Sequence, residues 1–353
     1  MDGPWGCLYF LELRMRILVT GTAGFIGYHV ARRLLRDGHA VTGIDGMTAY
    51  YDVALKRRRH AMLRESAGFT CHEFLLEDAQ ALADVFTGCE PELVIHLAAQ
   101  AGVRYSMENP QAYINANIIG TCNVLEQARA HPPRHLMLAS TSSVYGANRS
   151  VPFAESQRCD HPLSLYAATK KATEDLAHSY SHLWNLPITI CRFFTVYGPW
   201  GRPDMALFRF TANTLQGRPI DVYNNGDMAR DFTYIDDVVE AVRRLSTTPP
   251  RGPGESDAGA SPVAPCRVVN IGSGRPVSLL AFIESIEKAL GTPCIRNDLP
   301  MQPGDMPRTW ADCSALRALT GFTPDTSVQA GVEAFVAWYR TCYATTVASP
   351  AAQ

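Results

Sequence analysis

The sequence predicts an α/β protein, with a doubly wound parallel sheet and a smaller mixed α/β domain towards the C-terminus. Three observations predict it. A strand pattern, a glycine turn and an amphipathic helix follow one another within residues 17–36. Strand and helix patterns then alternate as far as residue 194, and beyond it the alternation breaks. Alternating strands and helices build parallel sheets that have helices on both faces.

The first strand–turn–helix unit carries three glycines, Gly21, Gly24 and Gly27. Gly21 permits a tight turn, Gly24 lets the backbone approach a pyrophosphate, and Gly27 lets the helix pack close to the strand. Phe25 and Ile26 lie within the glycine motif, and the helix that follows over residues 28–36 presents free N–H groups and a positive dipole end to an anion. The unit therefore predicts a Rossmann-type dinucleotide site.

The second strand ends at Asp45, where this type of fold places a carboxylate on the ribose hydroxyls of the dinucleotide. No arginine follows directly to receive a 2′-phosphate, so the sequence favours NAD over NADP. A basic run at residues 56–60 lies on a helical stretch farther on, and we interpret it as a solvated helix face.

Another buried strand leads into Leu97, Ala98 and Ala99, and its two alanines would let the backbone lie against the cofactor. Glu77 and Asp78 precede this strand and could reach the adenine edge, although plain surface acids explain them equally well. We assign Asp78 to the cofactor site.

Residues 112–130 predict one continuous helix, in which Asn117 and Gly120 are unusual. A buried asparagine ordinarily satisfies backbone groups. We expect Asn117 to do the same.

A later strand opens into the hydroxyl residues Thr141, Ser142 and Ser143, at the sheet edge where open parallel sheets bind ligands. Tyr166 and Lys170 follow on one face of a long amphipathic helix. A phenol ordinarily titrates near pH 10, and a neighbouring ammonium favours its ionised form. The pair predicts a base that acts on a substrate alcohol while NAD⁺ accepts a hydride.

The predicted domains follow from these patterns. They are an extension (1–14), an NAD-binding domain (15–195, with 231–247 and 266–273 returning to it), a flexible loop (248–265) and a substrate domain (196–230 and 274–345).

The composition is that of a globular protein, with 46% apolar residues, 19% charged residues and a net charge of -2. This balance predicts neither nucleic acid nor an anionic membrane as a partner. No apolar run approaches the roughly 18 residues that cross a bilayer. Ten scattered cysteines without a C-x-x-C pair predict reduced thiols, no metal site and a cytoplasmic location.

Together the glycine motif, Asp45, residues 96–99, residues 141–146 and the Tyr166–Lys170 pair resemble the extended short-chain dehydrogenase/reductase family, over roughly residues 15–340. More specific stretches are similar to UDP-glucuronate 4-epimerases; they are residues 50–53, 102–106, 192–205, 230–234 and 301–305.

The resemblance implies NAD-dependent 4-epimerisation of a UDP-hexuronic acid, from UDP-glucuronate to UDP-galacturonate. Tyr166 would remove the proton of the C4 hydroxyl, and Thr141 would bond the C4 oxygen. Lys170 would hold the nicotinamide ribose and lower the pKa of Tyr166. The transient 4-keto sugar would turn over before hydride returns to its other face, so NAD would stay bound.

A 4-keto uronic acid is a β-keto acid, which loses CO₂ when its carboxylate bond aligns with the carbonyl π system. Neutral hydroxyl donors can hold the carboxylate without favouring this loss. By resemblance these donors are Ser142, Ser143 and Thr195. Arg202 is a second candidate, through a charge-assisted contact or only as a brace of its loop.

The resemblance further implies a nucleotide site and a homodimer. Arg230 would meet the UDP pyrophosphate, Asp305 would shape the nucleotide site, and Arg104 would contribute there or serve a structural role. Helices near residues 112–130 and 167–183 would form a four-helix interface between two chains.

Several alternatives share these motifs. Ser142 and Ser143 argue against a 4,6-dehydratase or a sugar-nucleotide decarboxylase, which carry acids at that place. An epimerase of UDP-glucose or UDP-N-acetylglucosamine stays open, because substrate choice depends on a few loop contacts. A non-catalytic NAD-binding regulator also stays open, although it would have no use for the set of Thr141, Tyr166 and Lys170.

Overall fold

The computed structural model describes residues 14–252, 259–302 and 304–343. Its strands in chain order are β1 (Arg16–Thr20), β2 (Ala40–Asp45), β3 (Phe69–Glu73), β4 (Leu93–His96), β5 (His135–Thr141), β6 (Ile188–Phe193), β7 (Thr195–Tyr197), β8 (Ile220–Tyr223), β9 (Ala229–Tyr234), β10 (Cys266–Ile271), β11 (Pro276–Ser278), β12 (Arg296–Leu299) and β13 (Arg308–Thr309).

Twelve α-helices connect these strands in the described ranges. They are α1 (Phe25–Arg36), α2 (Val53–Arg64), α3 (Ala79–Cys89), α4 (Tyr105–Glu108), α5 (Pro110–Tyr113), α6 (Gly120–Ala130), α7 (Leu165–Trp184), α8 (Ala206–Leu215), α9 (Ile235–Ser246), α10 (Leu279–Leu290), α11 (Ser314–Thr320) and α12 (Val328–Trp338). Short 3₁₀ turns span Ser142–Tyr145 and Asn224–Gly226, and π-helical turns span Ile114–Ile119 and Tyr339–Tyr343.

The large sheet has seven parallel strands in the order β3-β2-β1-β4-β5-β6-β10. Side chains alternate across its plane, so Ile17 and Val19 pack with α1, α2 and α9, whereas Leu18 packs with α3, α6 and α7. Both faces are thus covered, and the predicted doubly wound sheet is confirmed. The strand order reverses between β1 and β4, which is where such sheets bind ligands.

The smaller part of the chain is built on β9, which pairs with β7, β11 and β13, while β8 pairs with β12. Its core includes the stacked rings of Phe232 and Phe282, whose centroids are 3.9 Å apart. Because β9 belongs to this small sheet, the chain returns to the large sheet with α9 and β10. The predicted extension (1–14) lies outside the described residues except at residue 14. The predicted flexible loop (248–265) lies outside them at residues 253–258.

The helix predicted over residues 112–130 is interrupted by the π-helical turn Ile114–Ile119. Asn117 lies in this turn and is fully buried. Its side-chain amide accepts a hydrogen bond from the Gln100 backbone N–H at 2.8 Å and donates to the Gln100 carbonyl at 3.0 Å. It also donates to the Thr169 hydroxyl at 3.0 Å. The expectation that Asn117 satisfies backbone groups is confirmed. The π-helical turn orients the Asn117 side chain towards the Gln100 backbone.

The interpretation of residues 56–60 as a solvated helix face is wrong for three of its five members. Lys56, Arg59 and His60 are buried, because this side of α2 packs against the glycine loop. The His60 ring lies 2.9 Å from the Thr22 hydroxyl, and the Lys56 ammonium donates to the Thr48 carbonyl at 2.7 Å. A charge run in a sequence does not reveal such polar partners.

The described cysteines form no disulfide, and none of them is fully exposed. Within the described ranges, no cluster of histidine, cysteine and acidic side chains suits a metal ion. A search of the same residues finds no helix with the length and apolarity needed to cross a membrane.

Candidate active site

The glycine loop joins β1 to α1. Gly21 has a φ of +79°, and a Cβ there would lie 2.8 Å from the Ala98 backbone nitrogen. A Cβ at Gly27 would lie 2.0 Å from the Gly21 carbonyl oxygen. These two positions therefore require glycine. No side chain caps the start of α1, and its first residues line the cavity described below, so its free N–H groups suit an anion there.

The Asp45 carboxylate stands at the end of β2, beside the glycine loop. It accepts hydrogen bonds from the backbone N–H groups of Ala23 and Met47, each at 2.9 Å. These bonds fix its orientation and leave further lone pairs available for a ribose hydroxyl.

The segment Leu97 to Ala99 is held beneath the glycine loop by a buried network. The Thr20 hydroxyl accepts from the N–H groups of Leu97 and Ala98, each at 3.1 Å, and lies 2.7 Å from His96 Nδ1. Burial lowers the pKa of His96 to about 3, so its ring is neutral at physiological pH. The network fixes this backbone without placing a charge under it.

A cavity of about 740 Å³ begins at the glycine loop and extends into the smaller part of the chain. Every site residue predicted from the sequence lines it except Asp78. The Asp78 carboxylate caps α3 by accepting from the Ala81 N–H at 3.0 Å, and the cavity is lined instead by Glu77. The prediction that Asp78 binds the cofactor gains no support from this placement.

Tyr166 and Lys170 lie in the first two turns of α7, whose start is capped by the Ser164 hydroxyl accepting from the Ala167 N–H at 3.1 Å. Lys170 is 2% exposed, and its ammonium makes no hydrogen bond to the described part of the chain. Burial lowers the pKa of Lys170 to about 8, and the nearby Glu174 carboxylate opposes this shift. Such a buried ammonium facing a cavity suits hydroxyl ligands.

Glu174 is itself neutralised. It accepts from Arg192 through Nε at 2.9 Å and through a terminal nitrogen at 2.8 Å, and from the Ser140 hydroxyl at 2.5 Å. All three side chains are buried. This ion pair fixes the carboxylate one turn beyond Lys170, under the end of β5.

The pKa of Tyr166 is raised by burial, while hydrogen bonding to Thr141 and the positive charge of Arg202 lower it in part. Lys170 follows one turn later on α7 and lines the same cavity. The phenol of the chain alone therefore stays protonated at neutral pH.

Hydroxyl groups surround the cavity next to Tyr166. Thr141 donates to the Ser143 hydroxyl at 3.2 Å and accepts from the Ser143 N–H at 3.2 Å. The side chains of Ser142 and Thr195 make no hydrogen bond to the residues that the structure describes, although both line the cavity. Neutral donors are thus available beside the phenol.

Arg202 reaches the same region already paired. Its guanidinium bonds the Asp204 carboxylate at 3.0 Å and 2.5 Å, and the Tyr50 hydroxyl donates to that carboxylate at 3.1 Å. Burial acts to raise the pKa of Asp204, but the charge and hydrogen bonds of Arg202, with the Tyr50 hydroxyl, outweigh it and hold that pKa below its usual value. The pair brings almost no net charge to the cavity.

A second set of charges lies at the far end of the cavity. Arg104 is 4.0 Å from the Asp305 carboxylate, and its guanidinium lies over the Tyr223 ring, 4.7 Å from the centroid. Burial lowers the pKa of Arg230, which Asp305 raises again in part. Two guanidinium groups against one carboxylate leave a net positive charge, which suits a pyrophosphate.

Sequence reasoning missed several lining residues, among them Tyr50, Lys56, Asp204, Arg209 and Tyr223. Tyr50 and Asp204 lie within stretches that are similar to UDP-glucuronate 4-epimerases, but the sequence alone assigned neither residue a role. Tyr223 ends β8, and a polar residue at a strand end is the one signal that could have indicated it. Lys56 was missed because it belongs to the basic run at residues 56–60, which was interpreted as a solvated helix face.

A glycine cradle, a tyrosine–lysine pair and an anion-binding end within one cavity define a nucleotide-dependent enzyme of the dehydrogenase type. The model of the "NAD dependent epimerase/dehydratase family" matches residues 17–272. The chain belongs to this family, and the resemblance inferred from the motifs is confirmed.

The chain is similar over most of its length to several relatives. It is 59% identical over 330 residues to a probable UDP-glucuronate 4-epimerase of Rhizobium meliloti, covering 92% of this chain and 97% of that one. UDP-glucuronate 4-epimerase 1 of Arabidopsis thaliana is 47% identical over 334 residues, or 93% of this chain and 77% of that protein. A crystal structure of the Bacillus cereus UDP-glucuronic acid 4-epimerase with UDP-glucuronic acid and NAD superposes with a TM-score of 0.83, at 33% identity, over 93% of this chain and 99% of that one.

Proposed function

We propose that this chain interconverts UDP-glucuronate and UDP-galacturonate by NAD-dependent epimerisation at C4. One observation carries the proposal. Tyr166, unpaired hydroxyls and a neutralised arginine share the cavity that the glycine loop opens, and a net positive end lies across from them. The names of the similar proteins support the same substrate.

The residues of the cavity fit NAD. The cradle at Gly21 and Gly27 excludes any Cβ, the uncapped start of α1 suits the pyrophosphate, and Asp45 suits a ribose hydroxyl. The ammonium of Lys170 would hold the nicotinamide ribose. When bound, NAD⁺ supplies an acceptor for the C4 hydride and afterwards a donor that returns it.

Tyr166 carries the proton in this reaction. Its phenolic oxygen takes the proton of the C4 hydroxyl and gives it back to the C4 oxygen after the sugar has turned. Thr141, whose hydroxyl lowers the pKa of the phenol in part, also holds the C4 oxygen. Because burial raises the pKa of Tyr166, the phenol ionises only when positive charge is close, which restricts proton removal to the complete complex.

The hydroxyls protect the carboxylate. A 4-keto uronate loses CO₂ when its carboxylate bond aligns with the carbonyl π system, so the carboxylate must be held in another orientation. Ser142, Ser143 and Thr195 provide neutral donors for this purpose. Arg202 is balanced by Asp204, and it contributes a directional contact rather than an uncompensated charge.

The remaining assignments concern the nucleotide and the whole chain. Arg230 and Arg104 bind the UDP pyrophosphate, with Asp305 setting their positions. The protein acts as a cytoplasmic homodimer, in which the α6 and α7 helices of two chains meet. Neither nucleic acid nor a membrane is a partner.

The test is a time course by NMR with UDP-glucuronate, and in a parallel sample with UDP-glucose, without added NAD. We expect UDP-galacturonate to accumulate to an equilibrium with UDP-glucuronate. Turnover of UDP-glucose alone, or release of CO₂ with a UDP-pentose product, would contradict the proposal. The same measurement that starts from UDP-galacturonate must reach the same ratio.

A further inference from the structure

Arg59 is a buried cation with no ion pair among the described residues. It is 0% exposed, although it lies on α2 within a run of basic residues. Taking a guanidinium out of water is costly unless polar groups replace its hydration. All the hydrogen bonds of Arg59 go to neutral oxygens, and these oxygens belong to two loops that are far apart in the sequence.

The first loop is the glycine loop. One terminal nitrogen of Arg59 donates to the Ala23 carbonyl at 2.7 Å and to the Tyr51 hydroxyl at 2.8 Å. Ala23 lies between Gly21 and Gly24, and its N–H donates to Asp45. The guanidinium thus supports the cradle from behind without lining the cavity.

The second loop comprises residues 198–205, which we call the substrate loop because it carries Arg202 and Asp204. The other terminal nitrogen of Arg59 donates to the Trp200 carbonyl at 2.5 Å and to the Gly201 carbonyl at 3.3 Å. Trp200 has a φ of +61°. A bulky residue holds such a conformation only where its surroundings impose it.

A second contact reaches the substrate loop from the helix that follows the glycine loop. The His29 ring, on α1, lies 2.9 Å from the Pro199 carbonyl. Burial lowers the pKa of His29 to about 3, so the ring is a neutral donor at physiological pH. The base of the substrate loop is therefore held by Arg59 of α2, which also bonds the glycine loop, and by His29 of α1.

We propose that Arg59 is a positioning residue that couples dinucleotide binding at the glycine loop to the conformation of the substrate loop. A pyrophosphate bound at the glycine loop orders Ala23, and Ala23 orders the Arg59 guanidinium through their hydrogen bond. The guanidinium in turn fixes the carbonyl groups of Trp200 and Gly201. Arg202 follows one residue later. The proposal rests on the proposed function only in that the glycine loop binds NAD.

The experiment is hydrogen–deuterium exchange of the full chain, freed of nucleotide and then saturated with NAD. In the unaltered chain we expect NAD to slow exchange at residues 198–205 about five-fold or more, the lower range of typical coupling between sites. Arg59→Met and Arg59→Lys should lose most of this protection while residues 21–27 remain protected. Lysine keeps the charge but lacks the planar fork that reaches both loops.

Arg57→Met is the matched control, since Arg57 is on the same helix but exposed, with only a 3.6 Å ion pair to Glu73. It should behave as the unaltered chain. Absence of NAD protection at residues 198–205 in the unaltered chain would overturn the proposal. Full NAD protection of both loops in the Arg59 variants would also overturn it. Loss of protection at both loops would overturn it as well, because Arg59 would then only stabilise the local structure. The choice of UDP-sugar affects none of these outcomes.

Discussion

Burial acts on both members of the Tyr166–Lys170 pair in favour of the neutral form. It raises the pKa of the phenol and lowers that of the ammonium to about 8. Without ligands, the Tyr166 phenol therefore stays protonated and the Lys170 ammonium stays poorly solvated. Such groups cost folding free energy, and their presence identifies the site as one selected for function rather than stability.

Replacing Lys170 with methionine should stabilise the chain free of ligand. The folded pKa near 8 lies below the ordinary value of 10.5, so the unfolded chain binds the proton more tightly. The penalty is fully present below pH 8 and disappears as the pH rises towards 10.5. Lys170→Met should raise the free energy of unfolding at pH 7 by up to about 3 kcal/mol, and its advantage should shrink at pH 9.5.

Urea unfolding of both proteins at the two pH values measures this difference. Lys171→Met, in which the neighbouring partly exposed lysine of an i,i+4 pair with Asp175 is removed, serves as the control and should change stability by less than about 1 kcal/mol. An equal gain at both pH values would show that packing, rather than the charge of Lys170, is responsible.

Replacing Tyr166 with phenylalanine should abolish epimerisation and leave NAD binding intact. The phenol ring packs edge-on against Tyr113, with centroids 6.1 Å apart, and phenylalanine preserves that contact. Only the proton carrier is lost, so we expect turnover to fall by at least about 100-fold, a typical loss for a general base. Near-normal turnover at an unchanged melting temperature would mean that another group removes the proton.

At the scale of elements, the sequence predicted those strands, turns and helices whose structure depends on residues close together in the chain. The strand–glycine–helix unit follows from three positions that exclude a Cβ and from apolar periodicity. The π-helical turn could not be predicted, because it depends on contacts of Asn117 with Gln100 and Thr169, distant in sequence. The burial of Arg59 was missed for the same reason: its partners lie in loops that no periodicity brings together.

Two glycine-to-alanine substitutions should have opposite effects. At Gly27 an added Cβ would lie 2.0 Å from the Gly21 carbonyl oxygen, so the glycine loop must shift. We expect a loss of about 1–3 kcal/mol of stability and of measurable NAD binding. At Gly88, inside α3, the added Cβ meets nothing within 4 Å, and alanine should stabilise the helix by about 0.5–1 kcal/mol.

Thermal melts and NAD titration by calorimetry of both variants check these expectations. NAD binding by Gly27→Ala with unaltered affinity would show that the loop does not hold the pyrophosphate as we propose.

On the scale of the whole molecule, the cavity depends on how the large sheet and the smaller part of the chain meet. Residues from the carboxyl ends of parallel strands converged as predicted, because topology places those ends together. Residues contributed by the smaller part, such as Arg209 and Tyr223, carry no motif and their place follows only from the three-dimensional packing. The sequence therefore left lining residues of the smaller part unpredicted, while the one predicted residue that does not line the cavity, Asp78, was assigned to the cofactor.

The outer surface of the π-helical turn, α6 and α7 is unusually apolar. Ile119, Leu183 and Trp184 are 43%, 65% and 42% exposed. The two helices lie side by side there, since Arg129 of α6 covers the Trp184 ring at 5.1 Å. Exposed apolar side chains on adjacent helices are typical of a surface that a second chain covers.

Light scattering during size exclusion should therefore give twice the mass of one chain. Ile119→Asp places a charge on the expected contact surface and should shift the protein towards monomer, since burying an unpaired carboxylate is costly. Leu215→Asp is the matched control, because Leu215 is equally exposed at 43% but lies on α8, away from this surface. If the unaltered chain is a monomer, or if both variants dissociate alike, α6 and α7 do not form the interface.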